Sequence, residues 1–255
     1  MTGNMKILLV SLLLLAGTAG AETPKYAPVN GALAVPLSVD NAYFRQPASP
    51  AADYWTLSSF YVPQYNGAAC SAASVSMALN ALLNSRRQRG DAEENITQEK
   101  VVEKVTGLKW KELLSAEGLD GRHGLTLNQL AQASKEALAA YGAAGFTVSS
   151  TAVNGQSALA LENFRRALSG NEKSPADIML LHFAQDALTG APGGPFAHIS
   201  PVGAYDEKTR RVLILDVDRQ WYEPYWAADT QVFKAMAVKT AAFGPGGYVI
   251  IRGKK

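Results

Sequence analysis

The sequence predicts an α+β domain, and three observations carry that prediction. Apolar residues recur at helical spacing through most of the first half, as at Val75, Ala78, Leu79, Leu82 and Leu83. From Asp177 onward they fall instead in short continuous or alternating runs, DIMLLHF and RVLILDV, which read as strands. A helical first half followed by a strand-forming second half suits α+β architecture, and 255 residues at 47% hydrophobic content can bury one sizeable core.

The chain opens MTGNMKILLVSLLLLAGTAGAE, with Lys6 ahead of the apolar run Ile7–Ala16 and a small-x-small site at Ala19-Gly20-Ala21. This pattern predicts a signal peptide over residues 1–21, cleaved after Ala21, and a periplasmic or secreted single domain over 22–255. The run is short for a membrane span, and no second run of spanning length follows, so no membrane partner is expected after cleavage. A formal net charge of +2 with no basic cluster argues against nucleic acid. Oligomeric state is not legible, and a homodimer stays open.

Residues 22–60 are rich in Pro and Ala and predict an extended arm anchored by Tyr43, Phe44, Tyr54, Trp55 and Phe60. A helix from Cys70 ends near Asn84. Ser85–Asn95, SRRQRGDAEEN, reads as a charged surface loop. Short helices are expected from Thr97 through Val105 and over Lys109–Ala116. Thr126 with Gln129 three residues later forms a capping box, opening a helix that stops at Tyr141-Gly142. Phe146–Ala152 predicts a strand, Ala158–Leu168 a helix closed by Ser169-Gly170, and Asp177–Phe183 a buried strand.

Cys70 is the single cysteine, so no internal disulfide can form and the fold must stand on its core. A lone thiol in an exported chain is open to oxidation, which favours a use for it. The small residues Asn66-Gly67-Ala68-Ala69 place Cys70 where a loop enters a helix. The unpaired N–H groups and the dipole there favour a thiolate.

A thiol nucleophile needs a base, and the base an orienting group. The stretch HISPVGAYDEKTRRVLILDV predicts a hairpin with strands Ile199–Tyr205 and Arg211–Val217 around the turn Asp206–Thr209. A turn centred between Glu207 and Lys208 sets His198 opposite Val217 and Asp216 opposite Ile199. Cross-strand neighbours lie about 5 Å apart, so His198 and Asp216 fall within reach of each other. Asp216 also interrupts an apolar run, where a carboxylate needs a partner. Cys70, His198 and Asp216 thus fill the roles of nucleophile, base and orienter. Gln64 lies six residues before the thiol, and its amide can polarise a carbonyl together with the Cys70 N–H. His123, in a Gly-Arg-His-Gly loop, reads as exposed, and His182 as a satisfied core residue. No metal-ligand spacing is present.

The order Gln64…Cys70-x-x-x-Ser74…Leu79-Asn80-Ala81-Leu82, then Gly124-Leu125-Thr126-Leu127, then His198-Ile199-Ser200-Pro201-Val202-Gly203-Ala204-Tyr205, then Leu215-Asp216-Val217 resembles phytochelatin synthases, closest to their short bacterial members. The resemblance runs from about Gln64 to Ile251. It implies a papain-like cysteine peptidase fold, no cofactor, and acyl-enzyme chemistry on glutathione or a related γ-glutamyl peptide. By that resemblance Cys70 attacks the Cys–Gly bond, His198 is the base, Asp216 orients it, Gln64 polarises the carbonyl, and Arg219 lies near the substrate's carboxylates. Two positions depart from the family: Ser71 stands where a glycine usually follows the cysteine, and Phe196-Ala197 replaces the glycine before the histidine. Ser71 and Ala197 are therefore expected to contact substrate, with Ala197 and Phe196 narrowing the cleft. Lacking the cysteine-rich C-terminal region of plant and yeast members, the chain is expected to favour hydrolysis over phytochelatin synthesis. A cysteine peptidase for another peptide, and a non-catalytic periplasmic protein that binds thiols or metal ions, are the competing readings.

Overall fold

The computed structural model of the protein describes residues 33–84, 95–240 and 242–253. The expected signal peptide, 1–21, and the charged segment 85–94 lie outside the described residues. The architecture is a seven-stranded antiparallel sheet with helices on both faces. In spatial order the strands are β1 (Val35–Pro36), β6 (Tyr225–Ala228), β5 (Arg211–Ile214), β4 (Ala197–Asp206), β3 (Asp177–Ala184), β9 (Gly247–Gly253) and β2 (Phe146–Ala152), and β7 (Lys239–Thr240) pairs with β8 (Gly244–Pro245) as a separate ribbon. One face carries α1 (Ala52–Ser58), α2 (Cys70–Leu83), α3 (Gln98–Lys104), α4 (Trp110–Leu113) and α5 (Leu127–Ala140). The other carries α6 (Ala158–Glu172), α7 (Asp186–Thr189) and α8 (Asp229–Ala237).

Because both faces are covered, the central strand β3 reads as a continuous apolar run and is buried at every residue. Its side chains still alternate: Ile178 and Leu180 face the α2 side, while Met179, Leu181 and Phe183 face the α8 side. The expected two-sided pattern of the second hairpin strand holds as well. Leu213, Leu215 and Val217 join the α2-side core, and Val212 and Ile214 the other.

Helix α2 spans the expected residues, but it is buried all round rather than along one stripe. Its small residues let the neighbouring helices and the sheet approach from every side. Two polar side chains fix it in place. Ser74 Oγ donates to the carbonyl of Ile199 at 3.0 Å, and Asn80 exchanges two 2.9 Å bonds with the backbone of Ile96. The capping box at Thr126 and Gln129 is formed, and β2 and α5 have the expected bounds.

Four expectations need correction. The arm is not wholly extended: Ala42–Arg45 is a 3-10 turn and α1 follows, with Tyr43 stacked edge-on against Trp226 at 5.5 Å. Helix α4 is shorter than Lys109–Ala116. Helix α6 runs through Ser169-Gly170 to Glu172, whose carboxylate accepts from Tyr43 Oη, Ala51 N and Tyr205 N and so holds the last turn in place. The hairpin register also differs. Asp206 faces Arg211, a bulge at Gly203 shifts the ladder by one, and β5 ends at Ile214. A Cβ on Gly203 would lie 2.8 Å from Leu215 Cγ, so the bulge forms where only glycine fits against the packed leucine.

Candidate active site

Three elements converge at one end of the sheet. Cys70 is the first residue of α2, and Asn66 shapes the loop before it. Asn66 Oδ1 accepts from Ala68 N at 2.8 Å, and its Nδ2 donates to Leu114 O at 2.9 Å. His198 stands at the start of β4, reached from α2 through the Ser74–Ile199 bond. Asp216 follows β5, where Leu215 N still bonds Pro201 O at 2.9 Å. All three residues are buried, Asp216 completely.

The expected pairing of base and orienter is present despite the changed register. His198 Nε2 lies 2.9 Å from Asp216 Oδ1. The carboxylate can only accept there, so Nε2 carries the proton and Nδ1 is the basic nitrogen. Cys70 lines the same cavity as this ring, near enough for its sulfur to act on the imidazole's titration. Burial alone would push the imidazolium down, but the Asp216 charge and the Cys70 sulfur together hold His198 well above its ordinary range. Burial likewise opposes ionisation of Asp216, yet the His198 charge and the Gln185 amide hold its carboxyl below the usual value.

Several partners here were not legible in the sequence. Ser200 Oγ lies 3.0 Å from His198 Nε2 and accepts from Val217 N at 3.2 Å, tying the two strands beside the ring. Gln185 Nε2 donates to both Asp216 oxygens, at 3.2 and 2.9 Å, and Tyr225 Oη donates to Oδ2 at 2.8 Å. Phe183 meets the His198 ring edge-on at 5.8 Å. The alternation of His198 and Ser200 in HIS was a usable signal. Gln185 directly follows β3 and Tyr225 opens β6, with two strands between them in the sheet, a juxtaposition no local pattern reveals.

Cys70 and His198 open on a cavity of about 1170 Å³. Gln64 lines it. Its backbone N donates to Val217 O at 2.9 Å, and its side-chain Oε1 is buried without a partner. Arg219 and Ala197 also line it. Arg219 donates to Tyr222 O at 2.7 Å and sits over the Tyr61 ring. Tyr65, Phe196 and Trp221 form an exposed aromatic rim. The Ser71 expectation is corrected: its hydroxyl is fully buried and accepts from Trp110 Nε1 at 3.0 Å, turned away from the cavity. His123 is exposed as expected, on the cavity wall. His182 is buried, with Nε2 donating to Leu125 O at 3.1 Å, but its Nδ1 has no partner, so it is not the satisfied core residue expected. Burial lowers its pKa to about 4.

Comparison with known proteins adds a family and a relative. A glutathione gamma-glutamylcysteinyltransferase of Schizosaccharomyces pombe is 30% identical over 94 residues, 36% of this chain and 22% of that protein. The similarity therefore spans well under two thirds of the yeast protein's length. The family model for phytochelatin synthase matches residues 39–245, a span that holds Gln64, Cys70, His198, Asp216 and Arg219. With most of its length matched, including every element that meets at the cavity, the chain belongs to the phytochelatin synthase family.

Proposed function

We propose that the protein is a thiol acyl-transferase and hydrolase that removes the C-terminal glycine of glutathione through a γ-glutamylcysteinyl thioester on Cys70. The observation that carries this reading is an imidazole bonded to Asp216 that lines one cavity with the only thiol of the chain. In the proposed reaction His198 Nδ1 takes the thiol proton, and the sulfur attacks the carbonyl of the Cys–Gly bond. The oxyanion faces the Gln64 amide and the Cys70 N–H. The C–N bond breaks as His198 returns the proton to the departing glycine amine. Water then attacks the thioester, with His198 again as base, and releases γ-glutamylcysteine. A second glutathione attacking through its amino group gives a longer chain. In this reading Arg219, on the cavity wall, faces the substrate carboxylates, and Ala197 flanks the thioester. A cysteine at a helix start facing a histidine on an antiparallel sheet supports the papain-like reading of the fold. The leader pattern supports action in the periplasm or outside the cell.

The test is to incubate the chain with glutathione and follow glycine and γ-glutamylcysteine by mass spectrometry. Release that vanishes in Cys70→Ala is expected, and no release, or release unchanged by that substitution, would overturn the proposal. A second reading, hydrolysis of a larger peptide by the same residues, is favoured by the aromatic rim of Tyr65, Phe196 and Trp221 around a wide cavity. Peptide profiling with the active thiol would separate the two.

A further inference from the structure

Asp216 has more donors than one histidine requires. Its Oδ1 accepts from His198 Nε2, from Asp218 N at 2.9 Å and, at longer range, from Gln185 Nε2. Its Oδ2 accepts from Gln185 Nε2 and Tyr225 Oη. Gln185 and Tyr225 are themselves buried, and neither touches the sulfur or follows from the acyl-transfer scheme. They arrive from opposite sides, Gln185 from the end of β3 and Tyr225 from the start of β6. Between them they close off the carboxylate edge that does not face the imidazole.

We infer that Gln185 and Tyr225 are positioning residues of this site, which fix the Asp216 carboxylate toward His198 and moderate how strongly it supports the imidazolium. The inference rests on the catalytic reading above and names two residues that tune it. The physical basis is that hydrogen bonds to a carboxylate spread and stabilise its charge. Two neutral donors on Oδ2 leave less negative charge on Oδ1 for the histidine. An imidazolium held less tightly gives its proton more readily to the leaving amine. The other titratable or charged groups around the pair are Cys70 on α2, His182 on β3, and Tyr61, Tyr222, Asp218 and Arg219 on the flanking loops. Of these, Tyr61 Oη donates to the Asp216 backbone carbonyl, while Gln185 and Tyr225 take the Oδ2 side of the carboxylate.

The test reads His198 directly. The chain has three histidines, so ring signals in the NMR spectrum can be assigned with His→Gln variants, and the titration needs no substrate. In Tyr225→Phe and in Gln185→Leu the His198 titration is expected to move upward by about half a pH unit. Under turnover, kcat should fall about threefold to tenfold with KM unchanged. A purely structural role would let the carboxylate swing away and lower the titration. No shift, or a downward shift, in either folded variant therefore overturns the inference. A midpoint does not depend on the folded fraction, and Tyr225→Phe removes a single oxygen, so loss of material does not hide the result. Absence of glycine release in the unaltered protein would overturn the proposed function and leave the titration result standing by itself.

Discussion

At the scale of single residues, one buried carboxylate governs the protonation of His198. His198 is held above its ordinary pKa because the Asp216 charge outweighs the cost of burying an imidazolium. The basic limb of activity, where the imidazolium loses its proton, should therefore lie above the ordinary value of 6.5. Asp216→Asn removes that charge and leaves the burial, so the limb should drop below its position in the unaltered protein. kcat/KM should fall by roughly two to four orders of magnitude, as when a triad carboxylate is neutralised. A pH–rate profile checks both, and an unmoved limb would contradict the role given to Asp216. These candidate residues were legible because chemistry restricts them: a lone thiol needs a base, and a carboxylate inside VLILDV needs a partner. Ser71 shows where that logic stops. Its place directly after Cys70, where the family usually has glycine, suggested a cleft residue, but the helical rotation that turns it toward the Trp110 indole depends on packing that no spacing reveals.

At the scale of elements, the site depends on how α2 sits against β4. The Ser74–Ile199 bond joins the helix that starts at Cys70 to the strand that carries His198, four residues after Cys70 and one after His198. Ser74→Ala leaves a buried carbonyl without this donor and should cost about 1–2 kcal/mol, seen as a lower denaturant midpoint. Because the sulfur and the ring lose a shared anchor, kcat should also fall about tenfold while KM changes little. Loss of stability with kcat intact would confine the bond to a packing role. Local signals located these elements well. The Thr126 capping box and the bounds of β2 were readable because they are set within a few residues. Register was not. The Gly203 bulge is decided by Leu213 and Leu215 across the ladder, and α6 overruns its glycine because Glu172 finds donors on the arm and on β4. Such long-range contacts overrule the turn residues that a sequence displays.

At the scale of the whole molecule, a second group of buried acids joins the N-terminal arm to the sheet, away from the cavity. Asp53 on α1 is fully buried and accepts from Asn171 at the end of α6. Burial, then the nearby charges of Asp177 and Glu172, push its carboxyl well above the ordinary 3.8. A carboxyl raised on folding binds its proton more tightly in the native state. Its contribution is complete below pH 3.8 and is lost as pH rises through the higher folded value. His182 acts in the opposite sense. Its folded pKa is lowered from 6.5 to about 4, so its contribution is complete above 6.5 and is lost as pH falls toward 4. Between those values the two residues offset each other, and Asp53→Asn should unmask His182. The stability gained by the variant over the unaltered protein should be near zero at pH 4 and grow by up to about 1.4 kcal/mol per pH unit as pH rises, the slope for one proton. Urea unfolding at steps from pH 4 to 7 measures that difference. A gap that stays constant across the range would mean that Asp53 is ionised in the folded protein throughout, and that the arm is held by packing of Tyr43 and Phe44 on Trp226 instead.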